Sequence, residues 1–345
     1  MNVRACTLHS AHDLRIEDRP VGEPGPGEVL VRLMAGGICG SDLHYFHEGR
    51  IGPILVREPL VLGHEVAGVV EEVGEGVDIP LGSRVALNPS RPCGRCRFCS
   101  RGEQQHCLDM WFYGSAMRFP HSQGAFQERI VAKAWQCVPI GEEVSFGEAA
   151  CAEPLAVCLH AARRAGDIAG RRVLVTGAGP IGNLCVAVAH FAGAAEIIAT
   201  DLQDEPLATA RALGATATVN IAADRDGLAG EEAEKGRIDV AFECSGAAPA
   251  LAAAIRAVRP GGTIVQVGLG GEVALQLNIL VNKEIALTGS FRFHEEYALA
   301  ARLIAARRID VRPLISDTLP LADAVAAFER ASDRRRAMKV QLTFD

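Results

Sequence analysis

The sequence predicts an α/β protein with two domains, one rich in β-strands and one built on a doubly wound parallel sheet. Three observations support this prediction. The chain has 345 residues, which is long for a single hydrophobic core. Its first half is rich in β signals, glycine and proline. Near Glu148 alanine-rich helical runs begin to alternate with short apolar strands, a pattern typical of a parallel sheet covered by helices.

The predicted strands of the first domain are the apolar segments 29–33 and 66–73, and Pro-Gly-Pro-Gly at 24–27 predicts a loop. In the second domain a helix is predicted at 181–191, and strands are predicted at 172–176, 196–200, 239–243 and 262–267. After about Ala286 the alternation ends, and the tail from Phe291 to Asp345 is expected to rejoin the first domain. The predicted domains are therefore 1–151 with 290–345, and 152–289.

The composition is that of a globular protein, with 49% apolar residues, 22% charged residues and a net charge of −7. This negative charge gives no reason to expect nucleic acid or an anionic membrane as a partner. The sequence has no apolar run of bilayer length and no signal-peptide core at its N-terminus. We therefore expect a cytoplasmic protein with reduced thiols and a small-molecule partner.

Four cysteines lie within 15 residues, in the order Cys93, Cys96, Cys99 and Cys107. A tight loop can aim four thiolates at one point about 2.3 Å away, as tetrahedral zinc requires. Four protein ligands leave no position for a substrate, so we predict a structural zinc in a lobe at 89–110. Buried or disulfide-paired thiols are the alternative, which the polar, arginine-rich loop disfavours. Six further cysteines lie in apolar stretches and are expected to be small buried side chains: Cys6, Cys137, Cys151, Cys158, Cys185 and Cys244.

A glycine-rich turn follows the predicted strand 172–176 and opens the predicted helix. Its glycines allow a tight turn and close approach to a pyrophosphate, and the helix N-terminus offers free N–H groups to phosphates. Asp201 ends the next strand, where a carboxylate can accept from both ribose hydroxyls. Asp204 and Glu205 would repel a ribose 2′-phosphate, which favours NAD over NADP. The predicted cofactor-binding residues are Gly177, Gly179, Pro180, Ile181, Gly182 and Asp201.

A second group of metal-type side chains comprises Cys39, His64, Glu65 and Glu153. Catalytic zinc takes about three protein ligands and leaves one position open, which suits a mixed thiol, imidazole and carboxylate set. Glu65 can equally orient the metal without binding it. In isolation Cys39 would be a buried thiol and His64 a core histidine.

These residues resemble the zinc-dependent medium-chain dehydrogenases, and within them the polyol branch that includes sorbitol and xylitol dehydrogenases. The resemblance rests on three short motifs and on the four-cysteine lobe, and it covers the whole chain. The motifs are Gly37-Ile38-Cys39-Gly40-Ser41-Asp42-Leu43-His44, Gly63-His64-Glu65 and Glu153-Pro154-Leu155. It implies a GroES-like catalytic domain interrupted by a Rossmann domain, with zinc and NAD as cofactors and a homodimer or homotetramer as the assembly.

The resemblance also implies roles for individual residues. Cys39, His64 and Glu153 match the zinc-holding positions of most relatives. In the polyol branch Glu65 can coordinate instead, with a water between the metal and Glu153, so both carboxylates remain candidates. Ser41 and His44 match the hydroxyl and imidazole that carry the substrate proton to solvent.

Three further segments, 42–52, 114–121 and 289–293, resemble sugar-acid dehydrogenases of this branch more than sorbitol dehydrogenase. A carboxylate substrate needs a cation, and Arg292 matches a polyol-contacting arginine, with Phe119 and Phe291 as candidate pocket walls. Three other arginines, Arg50, Arg57 and Arg118, are candidates for the same cleft or for surface ion pairs. A neutral-polyol dehydrogenase, a threonine-type dehydrogenase and a non-catalytic cofactor-binding protein remain alternatives.

Overall fold

The structure, a computed structural model, describes residues 1–344 and divides into two compact units. Unit 1 comprises Met1–Glu153, Tyr297–Arg307 and the chain from Ile315 onward, and unit 2 comprises Pro154–Glu296 and Arg308–Leu314. The predicted boundary at 151/152 differs from this division by two residues. The segment 290–296, predicted for the first domain, groups with unit 2 because Glu296 accepts hydrogen bonds from His160 and Arg163 of that unit.

The strands are β1 (Asn2–Ser10), β2 (Asp13–Pro20), β3 (Glu28–Gly37), β4 (Arg50–Ile51), β5 (Ile54–Leu55), β6 (Leu60–Val61), β7 (Glu65–Val73), β8 (Arg84–Leu87), β9 (Ser90–Arg91), β10 (Trp111–Phe112), β11 (Arg129–Lys133), β12 (Cys137–Pro139), β13 (Arg172–Thr176), β14 (Glu196–Asp201), β15 (Ala217–Asn220), β16 (Ile238–Glu243), β17 (Val258–Gln266), β18 (Ala286–Gly289), β19 (Ile315–Pro320) and β20 (Lys339–Thr343). The helices are α1 (Gly40–Glu48), α2 (Phe146–Ala150), α3 (Ala152–Ala165), α4 (Pro180–Phe191), α5 (Asp204–Ala212), α6 (Ala229–Glu232), α7 (Ala248–Ala257), α8 (Leu277–Lys283), α9 (Glu296–Ala305) and α10 (Ala324–Ser332). The predicted strands and the predicted helix are confirmed, with ends that shift by up to four residues.

A seven-stranded sheet forms the centre of unit 1, in the order β12-β8-β7-β3-β20-β19, with β11 also paired to β3. Strands β3 and β7 are antiparallel, and their register places Gly37 opposite Glu65. Strand β20 pairs with the same end of β3, so that Gln341 lies opposite Gly37. Three sequence-distant segments therefore meet at one end of this sheet. Its apolar side chains pack with α1 and α10 into the core of the unit.

Unit 2 is a six-stranded sheet in the order β15-β14-β13-β16-β17-β18, and every pairing in it is parallel. Val173, Leu174 and Val175 of β13 have 0% exposure, as expected for a central strand covered on both faces. The chain leaves β13 toward β14 and β15, then returns to the other side of β13 through β16. The loops that follow β13 and β16 thus flank the topological switch point, where open α/β sheets bind their ligands. The predicted fold class is confirmed.

Outside the metal-type clusters, five cysteines are buried as predicted, namely Cys6, Cys137, Cys151, Cys158 and Cys185, whereas Cys244 is partly exposed. Among residues 1–344 no helix is both long enough and apolar enough to cross a membrane.

Candidate metal and cofactor sites

The four-cysteine lobe is folded as one cluster. The sulfur atoms of Cys93, Cys96, Cys99 and Cys107 all lie within 4.8 Å of one another. Cys96 Sγ is 3.6 Å from Cys99 Sγ and 3.9 Å from Cys107 Sγ. A tetrahedral zinc with bonds of about 2.3 Å requires sulfur–sulfur distances of about 3.8 Å, so these spacings fit a four-thiolate zinc.

Backbone amides of the lobe favour the thiolate form that a metal needs. Hydrogen bonds from the backbone at Cys99 and Leu108 lower the pKa of Cys96 to about 6. The backbone at Arg95 likewise lowers the pKa of Cys93. Burial has the opposite effect on Cys99 and raises its pKa to about 12. A bound cation would offset this desolvation, so the lobe has the electrostatics expected of a metal site.

A second cluster brings together Cys39, His64 and Glu65, whose ligand atoms also lie within 4.8 Å of one another. Cys39 is the N-cap of α1, His64 precedes β7, and Glu65 is its first residue. Glu65 lies opposite Gly37, where a Cβ atom would come within 2.1 Å of Glu65 Oε2. A side chain at position 37 would therefore displace this carboxylate from its place beside Cys39.

Lys339 of β20 forms a buried ion pair with Glu65. Its Nζ is 2.8 Å from both carboxylate oxygens, and the two side chains are only 4% and 1% exposed. Burial disfavours the ammonium, but the negative charges of Glu65 and Cys39 and the hydrogen bond to Glu65 together raise the pKa of Lys339. Lys339 thus holds the Glu65 carboxylate in one orientation from the side of β20.

Asp42 lies next to both Cys39 and His64, the two other members of the cluster. It is completely buried, and it accepts hydrogen bonds from the backbone N–H of Cys39 at 3.0 Å and of Gly63 at 3.2 Å. Its Oδ1 lies 3.8 Å from His64 Nδ1, a buried nitrogen that makes no hydrogen bond within residues 1–344. A buried imidazole with an unsatisfied nitrogen fits a metal-binding histidine whose orientation depends on a carboxylate neighbour.

Glu153 lies near this cluster but is not among the side chains whose ligand atoms converge within 4.8 Å, as judged over the described residues. Burial raises its pKa to about 8, and the negative charges of Glu65 and Cys39 act in the same direction. Burial, followed by the charge of Glu65, also raises the pKa of Cys39 to about 11. Because a divalent cation favours both ionised forms, this buried group of acidic side chains suits a metal.

Ser41 and His44 both lie on α1, directly after Cys39. Ser41 is partly buried and hydrogen-bonds to the Cys39 thiol, which favours the thiolate. His44 is exposed, and its Nδ1 lies 3.3 Å from Glu48 on the next turn of the helix. The structure therefore places one hydroxyl against the cluster and one imidazole at the surface, three residues apart.

The glycine-rich turn has the geometry that its sequence predicts. Gly177 has φ 85°, a conformation that favours glycine, and Gly179 is the N-cap of α4 with Pro180 at the first helical position. A Cβ at Gly182 would lie 1.8 Å from the Gly177 carbonyl oxygen, whereas a Cβ at Gly179 would meet nothing within 4 Å. The helix thus packs closely on the turn while Gly179 and the N-terminus, with Ile181 in its first turn, stay open to a phosphate.

Asp201 is the last residue of β14 and faces the same turn. Its Oδ2 accepts the Ala178 N–H at 2.7 Å, and its Oδ1 accepts the N–H groups of Leu202 and Gln203 at 2.7 and 3.1 Å. These bonds fix the carboxylate beside the glycine turn and leave lone pairs for further donors.

The predicted substrate residues belong to different units. In unit 2, Arg292 has φ 53°, an uncommon conformation for a residue with a side chain, and its guanidinium lies 5.0 Å from the ring centre of Phe291. In unit 1, Phe119 is 56% exposed and Arg57 lies 4.5 Å above its ring. Arg118 instead pairs with Asp109 at 3.4 Å. Arg50 is exposed on β4.

Sequence reasoning missed Lys339, the structural role of Asp42, and Glu243, a fully buried carboxylate at the end of β16. The available signal was an isolated charged residue within an apolar strand pattern, at 339 and at 243.

The oxidation of an alcohol requires two groups: a metal that makes the hydroxyl more acidic, and a dinucleotide that accepts hydride. The two clusters and the glycine turn fit both groups, and they define the class as metal-dependent alcohol oxidoreductases.

Comparison with known proteins agrees with this class. Residues 25–142 match the alcohol dehydrogenase GroES-like domain, and residues 180–306 match the zinc-binding dehydrogenase family. L-idonate 5-dehydrogenase (NAD(P)(+)) of Escherichia coli K12 is 39% identical over 345 residues, covering 100% of this chain and 99% of that protein. The crystal structure of the E. coli enzyme superposes with a TM-score of 0.96 over 100% of this chain and 99% of that one.

Sorbitol dehydrogenase of Gallus gallus is also 39% identical, over 99% of this chain and 96% of that protein. A zinc-binding dehydrogenase structure from Sinorhizobium meliloti 1021, bound to NADP, is 31% identical with a TM-score of 0.91 and covers 99% of each chain. The chain belongs to the zinc-dependent medium-chain dehydrogenases. Within them it is a polyol or sugar-alcohol dehydrogenase that uses a nicotinamide dinucleotide.

Proposed function

We propose that the chain transfers hydride between a secondary alcohol of a sugar acid and NAD, with L-idonate and 5-keto-D-gluconate as the reacting pair. The cluster of Cys39, His64 and Glu65 is the observation that carries the dehydrogenase chemistry, because it offers three metal ligands of mixed type. The sugar-acid substrate is supported by the end-to-end similarity to the E. coli enzyme. A neutral polyol is the second candidate, because sorbitol dehydrogenase reaches the same identity.

Cys39, His64 and Glu65 are proposed to hold the catalytic zinc, with Glu153 beside it, and the four-cysteine lobe is proposed to hold the structural zinc. Zinc supplies Lewis acidity toward the alcohol hydroxyl, and NAD supplies the hydride acceptor. Lys339 holds the Glu65 carboxylate in place through a buried ion pair. Glu65 is thus favoured over Glu153 as the carboxylate ligand, since it lies within the converging set.

The proton of the alcohol is proposed to leave through α1. Ser41 Oγ accepts it, because this hydroxyl already lies against Cys39. Ser41 gives up its own hydroxyl proton in the same step, and the exposed His44 imidazole passes a proton to solvent. Its Nδ1 lies 3.3 Å from Glu48, which would hold the ring and leave Nε2 for proton exchange.

Asp201 is proposed to bind the adenosine ribose and so to select NAD. Leu202, Asp204 and Glu205 follow it, and the two carboxylates lie in the first turn of α5. This segment offers no cation to a 2′-phosphate, so NADP would bind beside uncompensated negative charge.

In unit 2, Arg292 is the arginine best suited to a substrate carboxylate; in unit 1, taken by itself, Arg57 is the better candidate. The φ of Arg292 shows a backbone conformation that the surrounding structure must enforce, as is common at ligand sites. Within residues 1–344 Arg57 makes no ion pair, whereas the charge of Arg118 is partly compensated by Asp109. Phe291 and Phe119 orient the two guanidinium groups through cation–π contacts.

We also propose that the protein assembles as a homodimer or homotetramer. Strand β18 is an edge of the parallel sheet of unit 2, and its Leu287 is 38% exposed. Leu277 and Val281 of the adjacent α8 are 63% and 71% exposed. A second copy that pairs with this edge would cover these apolar side chains.

The test is NADH or NADPH formation with L-idonate, sorbitol, xylitol and D-gluconate, each with NAD and with NADP. A kcat/KM for L-idonate with NAD about tenfold above the neutral polyols supports the proposal. Equal or better turnover of sorbitol or xylitol overturns the sugar-acid assignment. Arg292→Ala should raise KM for L-idonate more than for sorbitol, whereas Arg118→Ala, the matched control, should change neither.

A further inference from the structure

Glu243 is a buried carboxylate that none of the proposed chemistry uses. It is the last residue of β16 and has 0% exposure. A buried carboxylate is costly unless its oxygens are fully hydrogen-bonded. The groups that donate hydrogen bonds to this carboxylate therefore indicate its role.

The donors to Glu243 come from the ends of three adjacent strands. Oε1 accepts the Ser245 N–H at 2.9 Å, the Thr176 hydroxyl at 3.4 Å and the Ser245 hydroxyl. Oε2 accepts the Gly246 N–H at 3.0 Å and the Gln266 amide at 2.5 Å. Thr176 ends β13 and Gln266 ends β17, so one side chain ties together the carboxyl ends of β13, β16 and β17.

The loops that follow these strands are in backbone contact with one another. A Cβ at Gly177, directly after Thr176, would lie 2.9 Å from the Ser245 backbone nitrogen. A Cβ at Gly246 would lie 2.4 Å from the Leu269 carbonyl oxygen. The Val267 and Gly268 N–H groups both donate to the Glu243 carbonyl at 2.8 Å. Glu243 is therefore linked by hydrogen bonds to residues at the start of all three loops.

Two of these loops flank the switch point of the sheet, where the glycine turn begins. We propose that Glu243 is a positioning residue of the dinucleotide site: it holds the Ser245–Gly246 loop against the glycine turn and so sets cofactor affinity. Its own atoms stay buried and do not touch the cofactor. The proposal rests on nicotinamide dinucleotide binding and not on the identity of the alcohol.

The test is Glu243→Gln in the full-length, zinc-loaded protein. Glutamine keeps the size of the side chain but replaces one acceptor oxygen with an NH₂ group that must face N–H donors. The dissociation constant of NADH, measured by fluorescence titration without substrate, should rise about tenfold or more, as expected for lost hydrogen bonds to a charged acceptor. In the cofactor-free protein, hydrogen exchange should accelerate at the Gly246 and Val267 amides. KM for NAD should rise more than kcat falls.

Glu196→Gln is the matched control, because Glu196 is a carboxylate at the opposite end of the same sheet, on β14 beyond β13, and pairs with Arg172. Its NADH affinity should equal that of the wild type. A folded Glu243→Gln variant that binds NADH within about twofold of the wild type would overturn the proposal. If that variant does not fold, Ser245→Ala removes one donor at lower risk, and unchanged NADH affinity and loop exchange would then overturn it. If the wild-type protein binds NADH but is inactive toward L-idonate, that result counts against the substrate assignment alone.

Discussion

Replacing Lys339 with methionine removes the ammonium that is paired with Glu65 and keeps the length of the side chain. The Glu65 carboxylate then remains 1% exposed without its cation. Removing one partner of a buried ion pair costs about 3–5 kcal/mol, because the other charge stays desolvated. We expect a loss of this size in the free energy of unfolding of unit 1 when the protein is free of zinc.

The loss should be smaller when zinc is bound. If Glu65 is a ligand, the metal supplies the positive charge that Lys339 no longer provides, and part of the penalty disappears. The difference between wild type and variant should therefore shrink from the chelator-treated protein to the zinc-loaded protein. If Glu65 is a metal ligand, zinc should reduce the stability loss; if the ion pair is purely structural, zinc should leave the loss unchanged.

Urea unfolding followed by tryptophan fluorescence measures this quantity in the right unit, because Trp111 and Trp135 are the two tryptophans of the chain and both belong to unit 1. Lys133→Met is the matched control. Lys133 pairs with Glu28 at 2.9 Å, but the side chains are 35% and 25% exposed, so its loss should cost about 0–1 kcal/mol with or without zinc. A Lys339→Met loss below about 1 kcal/mol, or one that zinc does not change, would refute the reasoning.

Three further predictions follow from other sites. Burial opposes the charge of Glu296, but hydrogen bonds from His160 and from the backbone of His294 lower its pKa from 4.5 to about 2. The ionised Glu296 should therefore contribute about 3 kcal/mol to the free energy of unfolding above pH 4.5, and this contribution should be lost as the pH falls toward 2. The difference in unfolding free energy between the wild type and Glu296→Gln, measured by circular dichroism, should shrink over that range. A constant difference would contradict this pKa. Cys99→Ser should lower the metal content from about two zinc per chain to about one, as measured by atomic emission, and an unchanged content would exclude the four-cysteine lobe as a zinc site. Asp201→Ala should raise the ratio of kcat/KM for NADP to that for NAD about tenfold, because the carboxylate no longer repels a 2′-phosphate, and an unchanged ratio would place cofactor selection elsewhere.

Much of the fold and of the cofactor site followed from the sequence, because the signals are local. Apolar periodicity and glycine positions specify strands such as 172–176 and the turn that starts at Gly177 within a few residues. The four lobe cysteines are close in sequence, so a short loop is enough to bring their sulfurs together. The motifs on which the family resemblance rests are also short segments of the sequence.

The arrangement around Glu65 was decided by tertiary structure. Glu65 and Lys339 are 274 residues apart, and they meet only because β7 and β20 both pair with β3 at Gly37. The sequence left Glu65 and Glu153 as equal candidates, and the register of these strands places Glu65 beside Cys39 and His64. The role of Glu243 depends in the same way on three strands that become neighbours only in the folded sheet. Local patterns encode conformation over a few residues, whereas the partner of a buried charge is set by long-range strand pairing.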